Sequence, residues 1–230
     1  MSAMLERPPV EPAVGGTVAG LVLAAGLGRR FGGAKLAATL DGKPLLGHVL
    51  DTARRARDEG ILGVLVVVVP AGPDGTTDAH LLQRLAEESG AIVAANDDPA
   101  AGLSRSLRLG LTALETVPGS PRVDAALVLL GDQPRTWLEV MHALVAEWRR
   151  SRAQIVIPRY RGDHTKPGAP GNPVLLAREA WPLARRLRGD TGMRAVAQRH
   201  PELVSYLDVE GTNPDVDEPR DLDALAGSSV

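Results

Sequence analysis

A glycine-rich loop near the start of the chain carries the residue types that phosphate binding needs. Residues 21–36 read LVLAAGLGRRFGGAKL, in which an apolar run gives way to four glycines and three cations. Glycines let the backbone bend tightly and approach a ligand, and successive N–H groups in such a loop can cradle an anion. Arg29, Arg30 and Lys35 add the positive charge that suits a phosphate chain. The loop therefore predicts a nucleoside triphosphate site after the first strand of an α/β sheet.

A dinucleotide-binding loop is the main alternative to this interpretation. Gly26 and Gly28 begin the spacing G-x-G-x-x-G, but Phe31 takes the place of the third glycine. That fold also needs an acidic residue closing the second strand to hold the ribose, whereas the run at 64–69 ends in Pro-Ala-Gly. A nicotinamide- or flavin-dependent oxidoreductase stays open as a less favoured alternative, and so does a nucleotide-binding protein without catalysis. A P-loop is excluded, because no Gly-Lys-Ser/Thr follows at the right spacing.

Acidic residues at two places are candidate metal ligands. Asp132 follows the apolar run Ala125–Leu130, and a carboxylate at the end of a buried strand suits Mg2+, which binds one or two carboxylates plus substrate phosphates. An aspartate there could instead cap a helix or close a turn. Residues 213–219 read NPDVDEP, so Asp215 and Asp217 could supply a second metal ligand or form a solvated acidic turn.

Composition excludes several other classes of function. The chain has 230 residues, 44% of them apolar, with a net charge of −2 and no cysteine. Disulfides, thiolate zinc sites and cysteine nucleophiles are thus ruled out, and no global basic field points to nucleic acid or a membrane. We expect one domain over residues 17–230, after a mobile leader at 1–16 that lacks a signal-peptide pattern. A cytoplasmic location is expected.

Apolar runs and helical patterns alternate along the chain. The strand patterns cover residues 18–24, 64–69, 91–95, 125–130, 154–158, 173–176 and 203–209. The helical patterns cover residues 44–58, 78–89, 103–114, 136–150, 179–187, 191–198 and 221–226, with Thr136 as the expected cap of the fourth. This alternation predicts an α/β fold with a mostly parallel sheet and helices on both faces. Because ligands bind at the carboxyl ends of such strands, the glycine-rich loop and Asp132 are expected at one edge.

Seven short segments also match a known family in their order and spacing, over nearly the whole chain after the leader. They are Leu23-Ala24-Ala25-Gly26 with Arg30, Gly32 and Lys35; Leu40-x-Gly42-Lys43-Pro44-Leu45; Gly102-x-Ser104-x-Ser106-Leu107 with Gly110-Leu111; Leu130-Gly131-Asp132-Gln133-Pro134; Gly168 with Gly171-Asn172-Pro173-Val174; Gly189-Asp190-Thr191-Gly192; and Asp215-Val216-Asp217 with Pro219, Asp221 and Leu222. With these segments the chain resembles the MobA-like nucleotidyltransferases, and most closely the molybdenum cofactor cytidylyltransferases.

The resemblance implies a Rossmann-like nucleotidyltransferase fold and a role for each matching position. The residues it implies for nucleotide binding are Leu23, Ala24, Ala25, Gly26, Gly28, Arg30, Lys35, Gly102, Ser106 and Asp132. Arg30, Lys35 and Asp132 would be catalytic. Asp132, completed by Asp215 or Asp217, would hold the metal. The residues it implies for acceptor binding are Gly171, Asn172, Pro173 and Asp190, and His164 in the polar loop could also touch the acceptor.

The activity implied is Mg2+-dependent transfer of a nucleoside monophosphate to a phosphate acceptor, with release of pyrophosphate. The acceptor would be a molybdopterin-type cofactor, although a sugar phosphate stays open, and a molybdoenzyme or a chaperone could be a partner. The methyl group of Ala25 would crowd a purine, which favours CTP. Three positions depart from the family pattern: Phe31 stands for methionine, Asn172 for histidine and Glu218 for threonine.

Overall fold

A seven-stranded β-sheet forms the centre of this computed structural model, which describes residues 16–72, 77–117, 122–162 and 168–226. Residues 1–15, nearly all of the expected leader, and His164 lie outside the described residues. The strands of the described chain are β1 (Val18–Leu23), β2 (Thr39–Leu40), β3 (Lys43–Pro44), β4 (Leu65–Pro70), β5 (Ile92–Asn96), β6 (Ala125–Leu130), β7 (Ile155–Tyr160), β8 (Val174–Ala177) and β9 (Val204–Val209). The two-residue strands β2 and β3 form a separate antiparallel pair.

Helices alternate with these strands, as the sequence predicts. The α-helices of the described chain are α1 (Leu45–Asp58), α2 (Thr77–Glu88), α3 (Leu103–Glu115), α4 (Leu138–Ser151), α5 (Trp181–Arg185), α6 (Met193–Arg199) and α7 (Pro219–Ala226). Within the described ranges, no helix has the length and apolar character needed to cross a lipid bilayer.

The main sheet has the strand order β5-β4-β1-β6-β8-β7-β9. The pairs β1–β4, β1–β6, β4–β5 and β7–β9 are parallel, whereas β8 runs antiparallel to β6 and β7. The prediction of a mostly parallel sheet is confirmed. From β1 the chain adds β4 and β5 on one side and later β6 on the other. Such a reversal opens a crevice at the carboxyl ends of the strands, where ligands of open α/β sheets bind.

Side chains of the sheet alternate between two apolar layers. In β4, Leu65, Val67 and Val69 join a buried cluster that includes residues of α1, α2 and α4. Val66 and Val68 point the other way, into a cluster that includes residues of α3, α5 and α6. Because both faces of the strand are covered, a near-continuous valine run is the sequence that this position requires. The expected layering, with helices on both faces, is therefore confirmed.

The turn between β6 and α4 differs from its prediction. Helix α4 begins at Leu138 with Trp137 before it, so Thr136 is not its cap. The Thr136 hydroxyl instead donates to the Gln133 carbonyl at 3.0 Å, and Thr136 is buried. The threonine thus closes the turn that follows Asp132. The helix expected at 179–187 is also shorter, because a 3-10 turn at Arg178–Ala180 precedes α5.

Candidate active site

A cleft of about 550 Å³ opens at the carboxyl ends of β1 and β6. Most of the site residues expected from the sequence line it: Leu23, Ala25, Gly26, Gly28, Arg30, Lys35, Gly102, Ser106, Asp132, Asp190, Asp215 and Asp217. Arg29, expected to add positive charge for a phosphate chain, lines it as well. Its walls also include residues that had no predicted role: Leu27, Leu36, Pro99, Ala100, Leu103 and Leu130. Loops that are far apart in the sequence therefore converge on one cleft of a size that suits a small-molecule ligand.

The glycine-rich loop curls around the carbonyl group of Gly28. That oxygen accepts hydrogen bonds from the N–H groups of Phe31, Gly32 and Gly33, at 3.0, 3.1 and 3.3 Å. Gly28 itself has a φ of 58°, and a Cβ atom there would lie 2.3 Å from the Gly33 carbonyl oxygen. Only glycine fits this close approach. The curl brings Lys35, two residues after Gly33, to the floor of the cleft.

Cations of this loop face carboxylates from two distant parts of the chain. The Lys35 ammonium lies 2.5 Å from Asp132 Oδ2 and 3.5 Å from Asp217 Oδ1, and its side chain is only 11% exposed. Arg30, whose side chain is 73% exposed, pairs with Asp217 at 3.0 Å. The loop after β1 is thereby tied to the loop after β6 and to the segment before α7. Two cations that line an open cleft can also exchange these partners for phosphate oxygens.

A buried valine positions the two C-terminal carboxylates. Val216 is fully buried against Leu40 and Leu45, and its N–H donates to the Asp132 carbonyl at 3.0 Å. Its neighbours Asp215 and Asp217 both line the cleft, beside Asp132. The apolar residue between the two aspartates therefore anchors the segment, which explains why the predicted acidic cluster is not simply a solvated turn.

Asp221 holds the end of that segment. Its Oδ2 atom accepts hydrogen bonds from the N–H groups of Asp217 and Glu218, both at 2.8 Å. These backbone donors hold the pKa of the Asp221 carboxyl below its ordinary value, because they stabilise the charged form. Asp221 thus caps the first turn of α7 and fixes the position of Asp217.

Asp132, Asp215 and Asp217 offer hard oxygen donors to the cleft. Partial burial of the Asp215 carboxyl, together with the nearby charge of Asp132, raises the pKa of Asp215, and the Gln133 amide that donates to it at 2.5 Å opposes this effect. In the described part of the chain, no three acidic or histidine side chains are close enough together to form a complete metal site. One or two carboxylates completed by substrate phosphates is, however, the usual arrangement for Mg2+. The donors present at Asp132 with Asp215 or Asp217 therefore fit this ion.

The opposite wall of the cleft is built around Gly102, at the start of α3. Gly102 has a φ of 86°, and a Cβ atom there would lie 2.4 Å from the Gly189 carbonyl carbon. This close packing lets Asp190 Oδ1 accept from the Leu103 N–H at 3.3 Å. Asp190 therefore has a structural partner as well as a place in the cleft wall. Ser106, one turn into α3, is 5% exposed and also lines the cleft.

A buried asparagine lies behind Ser106. Asn96 ends β5 and has no exposed surface, and its amide nitrogen donates to Ser106 Oγ at 3.0 Å. Asn96 had no predicted role, because the strand expected at 91–95 ended one residue before it. The only signal in the sequence is a polar residue at the carboxyl end of a strand, at the same edge as the glycine-rich loop and Asp132.

Four of the predicted site residues do not line the cleft: Ala24, Gly171, Asn172 and Pro173. Ala24 is fully buried, and its N–H donates to the Val68 carbonyl. The Asn172 carbonyl accepts from the Tyr160 hydroxyl at 2.7 Å and from the Asn213 amide at 3.0 Å. Burial raises the pKa of Tyr160, which keeps the hydroxyl protonated as a donor. The expected acceptor loop is thus fixed to the segment that leads to Asp215, and its role toward an acceptor stays a prediction.

Comparison with known proteins finds a family whose model matches most of this sequence. The sequence model of the family described as "MobA-like NTP transferase domain" matches residues 20–204. A bifunctional protein GlmU from Burkholderia lata is 35% identical over 138 residues, which is 59% of this chain and 27% of that protein. The match thus spans about a quarter of the length of such curated relatives.

Solved structures support the same assignment. Rv0371c from Mycobacterium tuberculosis H37Rv is 25% identical, with a TM-score of 0.73 over 94% of this chain and 100% of that one. A complex of Rv0371c with manganese has a TM-score of 0.69, at 25% identity over 93% of this chain and 100% of that one. The 4-diphosphocytidyl-2C-methyl-D-erythritol synthase from Anaerococcus prevotii is 13% identical, with a TM-score of 0.66 over 92% and 95% of the two chains, which is a likeness of fold. The expected Rossmann-like nucleotidyltransferase fold is confirmed.

Proposed function

The chain belongs to the family of MobA-like NTP transferase domains, and from this premise we propose that it transfers CMP from CTP to a phosphate group of a molybdopterin-type acceptor, releasing pyrophosphate. The observation that carries the proposal is the convergence of the cationic glycine-rich loop with Asp132, Asp215 and Asp217 on one cleft. Phosphate-binding cations and metal-binding carboxylates are the two sets of groups that nucleotidyl transfer requires.

The nucleotide would lie along the cleft, with its triphosphate at the glycine-rich loop. The N–H groups of Phe31, Gly32 and Gly33 donate to the Gly28 carbonyl, so other backbone N–H groups of the loop would cradle the phosphates. Arg30 and Lys35 would leave Asp217 and Asp132 to bind them. The nucleoside would then reach the opposite wall, where Gly102 and Ser106 lie. Leu23, Ala25 and Gly26, at the end of β1, would contact the base.

Asp132 would hold Mg2+, with Asp215 or Asp217 as the second protein ligand. When bound, the ion would polarise the α-phosphate and neutralise charge on the triphosphate. The manganese complex of Rv0371c, at 25% identity, supports a divalent cation in a protein of this fold. The Gln133 amide, which donates to Asp215, would keep that carboxylate turned toward the cleft.

The chain's own residues would act by positioning and by stabilising charge. An ionised oxygen of the acceptor phosphate attacks the α-phosphorus, the bond from the α-phosphorus to the bridging oxygen breaks, and pyrophosphate leaves with the electron pair. The attacking oxygen carries no proton at neutral pH, so no general base is needed. Lys35 and Arg30 would stabilise the negative charge that develops on the bridging oxygen and the departing pyrophosphate.

Ala25 supports the choice of a pyrimidine. The residue lines the cleft, although it is only 3% exposed and belongs to a buried apolar cluster, and its methyl group would crowd a base larger than a pyrimidine. The acceptor would approach from the side of Asp190 and the loop of Gly171, Asn172 and Pro173. A molybdoenzyme or a chaperone would receive the product.

Pyrophosphate release tests this proposal. CTP, GTP, ATP and UTP are each offered with Mg2+ or Mn2+ and with molybdopterin, a sugar 1-phosphate or no acceptor. We expect release that needs CTP, the metal and molybdopterin together. Release of pyrophosphate with the sugar 1-phosphate, but not with molybdopterin, would mean that the acceptor is a sugar phosphate. Tight binding of NAD(P)H or a flavin, without release from any triphosphate, would instead favour the oxidoreductase alternative.

A further inference from the structure

The side-chain amide of Asn96 has a fixed orientation. Its Oδ1 atom accepts from the Asp98 N–H at 3.0 Å and from Arg105 Nε at 3.1 Å. Two N–H donors on the same side require the amide oxygen there, because the amide nitrogen has no lone pair to offer them. The nitrogen must therefore face Ser106 Oγ, 3.0 Å away. Arg105 is itself held in place by an ion pair with Asp97.

This orientation of the Asn96 amide determines whether the Ser106 hydroxyl can act as a hydrogen-bond donor toward the cleft. Because Ser106 Oγ accepts a hydrogen bond from Asn96, one lone pair is used and the hydroxyl proton must point elsewhere. Among the described residues, the side-chain hydrogen bond of Ser106 is the one that it accepts from Asn96, so the proton has no protein acceptor there. Ser106 lines the cleft, so the open direction for the proton is toward a ligand.

The position of Asn96 makes the arrangement rigid. The Asn96 carbonyl accepts from the Ala71 N–H at 2.8 Å, and Asn96 pairs with Pro70 across the β4–β5 ladder. A fully buried amide is costly unless it is hydrogen-bonded, and here both its oxygen and its nitrogen are. The Asn96 side chain thus contacts no solvent, and the cleft residue to which it is hydrogen-bonded is Ser106.

We propose that Asn96 is a positioning residue that holds the Ser106 hydroxyl as a hydrogen-bond donor toward the nucleoside, so that this end of the cleft selects a hydrogen-bond acceptor such as a base carbonyl oxygen. The inference rests on the proposed nucleotide site and adds the direction of one hydrogen bond within it. Asn96 touches no substrate in this account and acts through Ser106 alone.

Asn96→Asp should exchange the donor and acceptor roles in the hydrogen bond between residue 96 and Ser106, with almost no change in the shape of the side chain. One carboxylate oxygen keeps the donors from Asp98 and Arg105, and the other replaces the amide nitrogen and takes the Ser106 hydroxyl proton. The lone pairs of Ser106 Oγ then face the acceptor atom of the nucleoside. We expect CTP binding, measured by calorimetry without an acceptor, to weaken roughly tenfold, while the melting temperature shows that the variant is folded.

A double-mutant cycle with Ser106→Ala separates this role from a structural one. If Asn96 acts through Ser106, Asn96→Asp has no further effect on CTP affinity in the Ser106→Ala background. Gln83→Glu, the same amide-to-carboxylate change on the exposed face of α2, is the control and should leave affinity unchanged. Asn96→Ala, run through the same cycle, replaces Asn96→Asp should that variant not fold.

The outcomes distinguish the inference from the proposed function. An equal loss of affinity in both backgrounds, or no loss in either, overturns the positioning role of Asn96 while leaving CTP binding intact. A folded wild-type protein that binds no nucleoside triphosphate overturns the proposed function and this inference with it. A loss of CTP affinity when residue 106 is serine, with no further loss in the Ser106→Ala background, supports both the inference and the proposed function.

Discussion

The Lys35 ammonium and the Asp132 carboxylate, from loops 97 residues apart, meet at 2.5 Å in the floor of the cleft. Lys35 also reaches Asp217 at 3.5 Å, so one cation is shared between two candidate metal ligands. A divalent cation at Asp132 would compete with this ammonium, whereas a triphosphate would offer it new partners. In the proposed function, the pair would therefore link nucleotide binding to metal binding.

Lys35→Ala should change the two affinities in opposite directions. Binding of CTP without metal should weaken by about tenfold or more, because a charge-assisted contact to phosphate is lost. Binding of Mn2+ without nucleotide should become tighter, because no ammonium competes for Asp132. Calorimetry measures both. Arg84→Ala removes an exposed cation of α2 and should alter neither affinity; a Lys35 variant that loses affinity for both ligands would contradict the account.

Gly28→Ala should abolish the shape of the glycine-rich loop while sparing the fold. A methyl group at this position would meet the Gly33 carbonyl oxygen at 2.3 Å, and the positive φ adds strain. We expect triphosphate affinity to fall by roughly tenfold or more, with a small change in melting temperature. Gly32→Ala is the comparison, since a Cβ atom there meets nothing within 4 Å although φ is also positive. Equal effects of the two substitutions would mean that strain, and not the contact with Gly33, is responsible.

Ala25→Gly should shift the choice of base. Removing the methyl group of this cleft residue should make room for a purine, so we expect the ratio of GTP to CTP affinity to rise by roughly tenfold. Competition binding with the two nucleotides measures this ratio. Ala100→Gly, another small residue of the same cleft, is the control. An unchanged ratio would mean that Ala25 does not contribute to the choice of base.

A feature of the fold could be predicted from the sequence when the pattern that sets it lies within one short segment. The valine run of β4 and the position of Asp132 after β6 are set by short patterns, so the sheet, its layers and the edge at which the cleft opens were predictable. The direction of β8 was not, because Val174–Ala177 is a short apolar run whose orientation is decided by its partners β6 and β7.

The candidate site likewise contains residues that stand out in the sequence and residues that do not. The glycine-rich loop and the acidic residues near the C-terminus stand out by composition, and the structure brings them together. Asn96 does not stand out, because its role depends on Ser106, ten residues away on the next helix, and on the donors that fix its amide. Asp190 was expected to face an acceptor, and only the packing of Gly102 shows that it also accepts from the start of α3.

Glu147 gives a prediction for acid stability. This buried residue of α4 accepts from the Arg150 guanidinium at 2.8 Å and from the Ser205 hydroxyl of β9 at 2.6 Å. These donors, Arg150 first, lower the pKa of the Glu147 carboxyl. Because the pKa is lower in the folded state, the stabilisation is present above the ordinary value of 4.5 and is lost as the pH falls below it.

Glu147→Gln should therefore lower the melting temperature at pH 7 by roughly 2–4 °C, equivalent to about 1 kcal/mol. The difference from the wild type should shrink as the pH is taken below 4.5. Thermal melts over this range test it, with the exposed Glu139→Gln on the same helix as the control. A difference that stays constant with pH would mean that the charge of Glu147 does not contribute.

Transfer of the α-phosphate tests the central claim most directly. CTP labelled with radioactive phosphorus at its α-phosphate is incubated with Mg2+ and molybdopterin, and the products are separated. The account predicts that the label moves to the acceptor, and that Asp132→Asn slows this transfer by on the order of 10²–10³, while Asp51→Asn on the surface of α1 does not. Label that stays in CTP, or leaves as CMP whether or not the acceptor is present, would contradict nucleotidyl transfer by this protein.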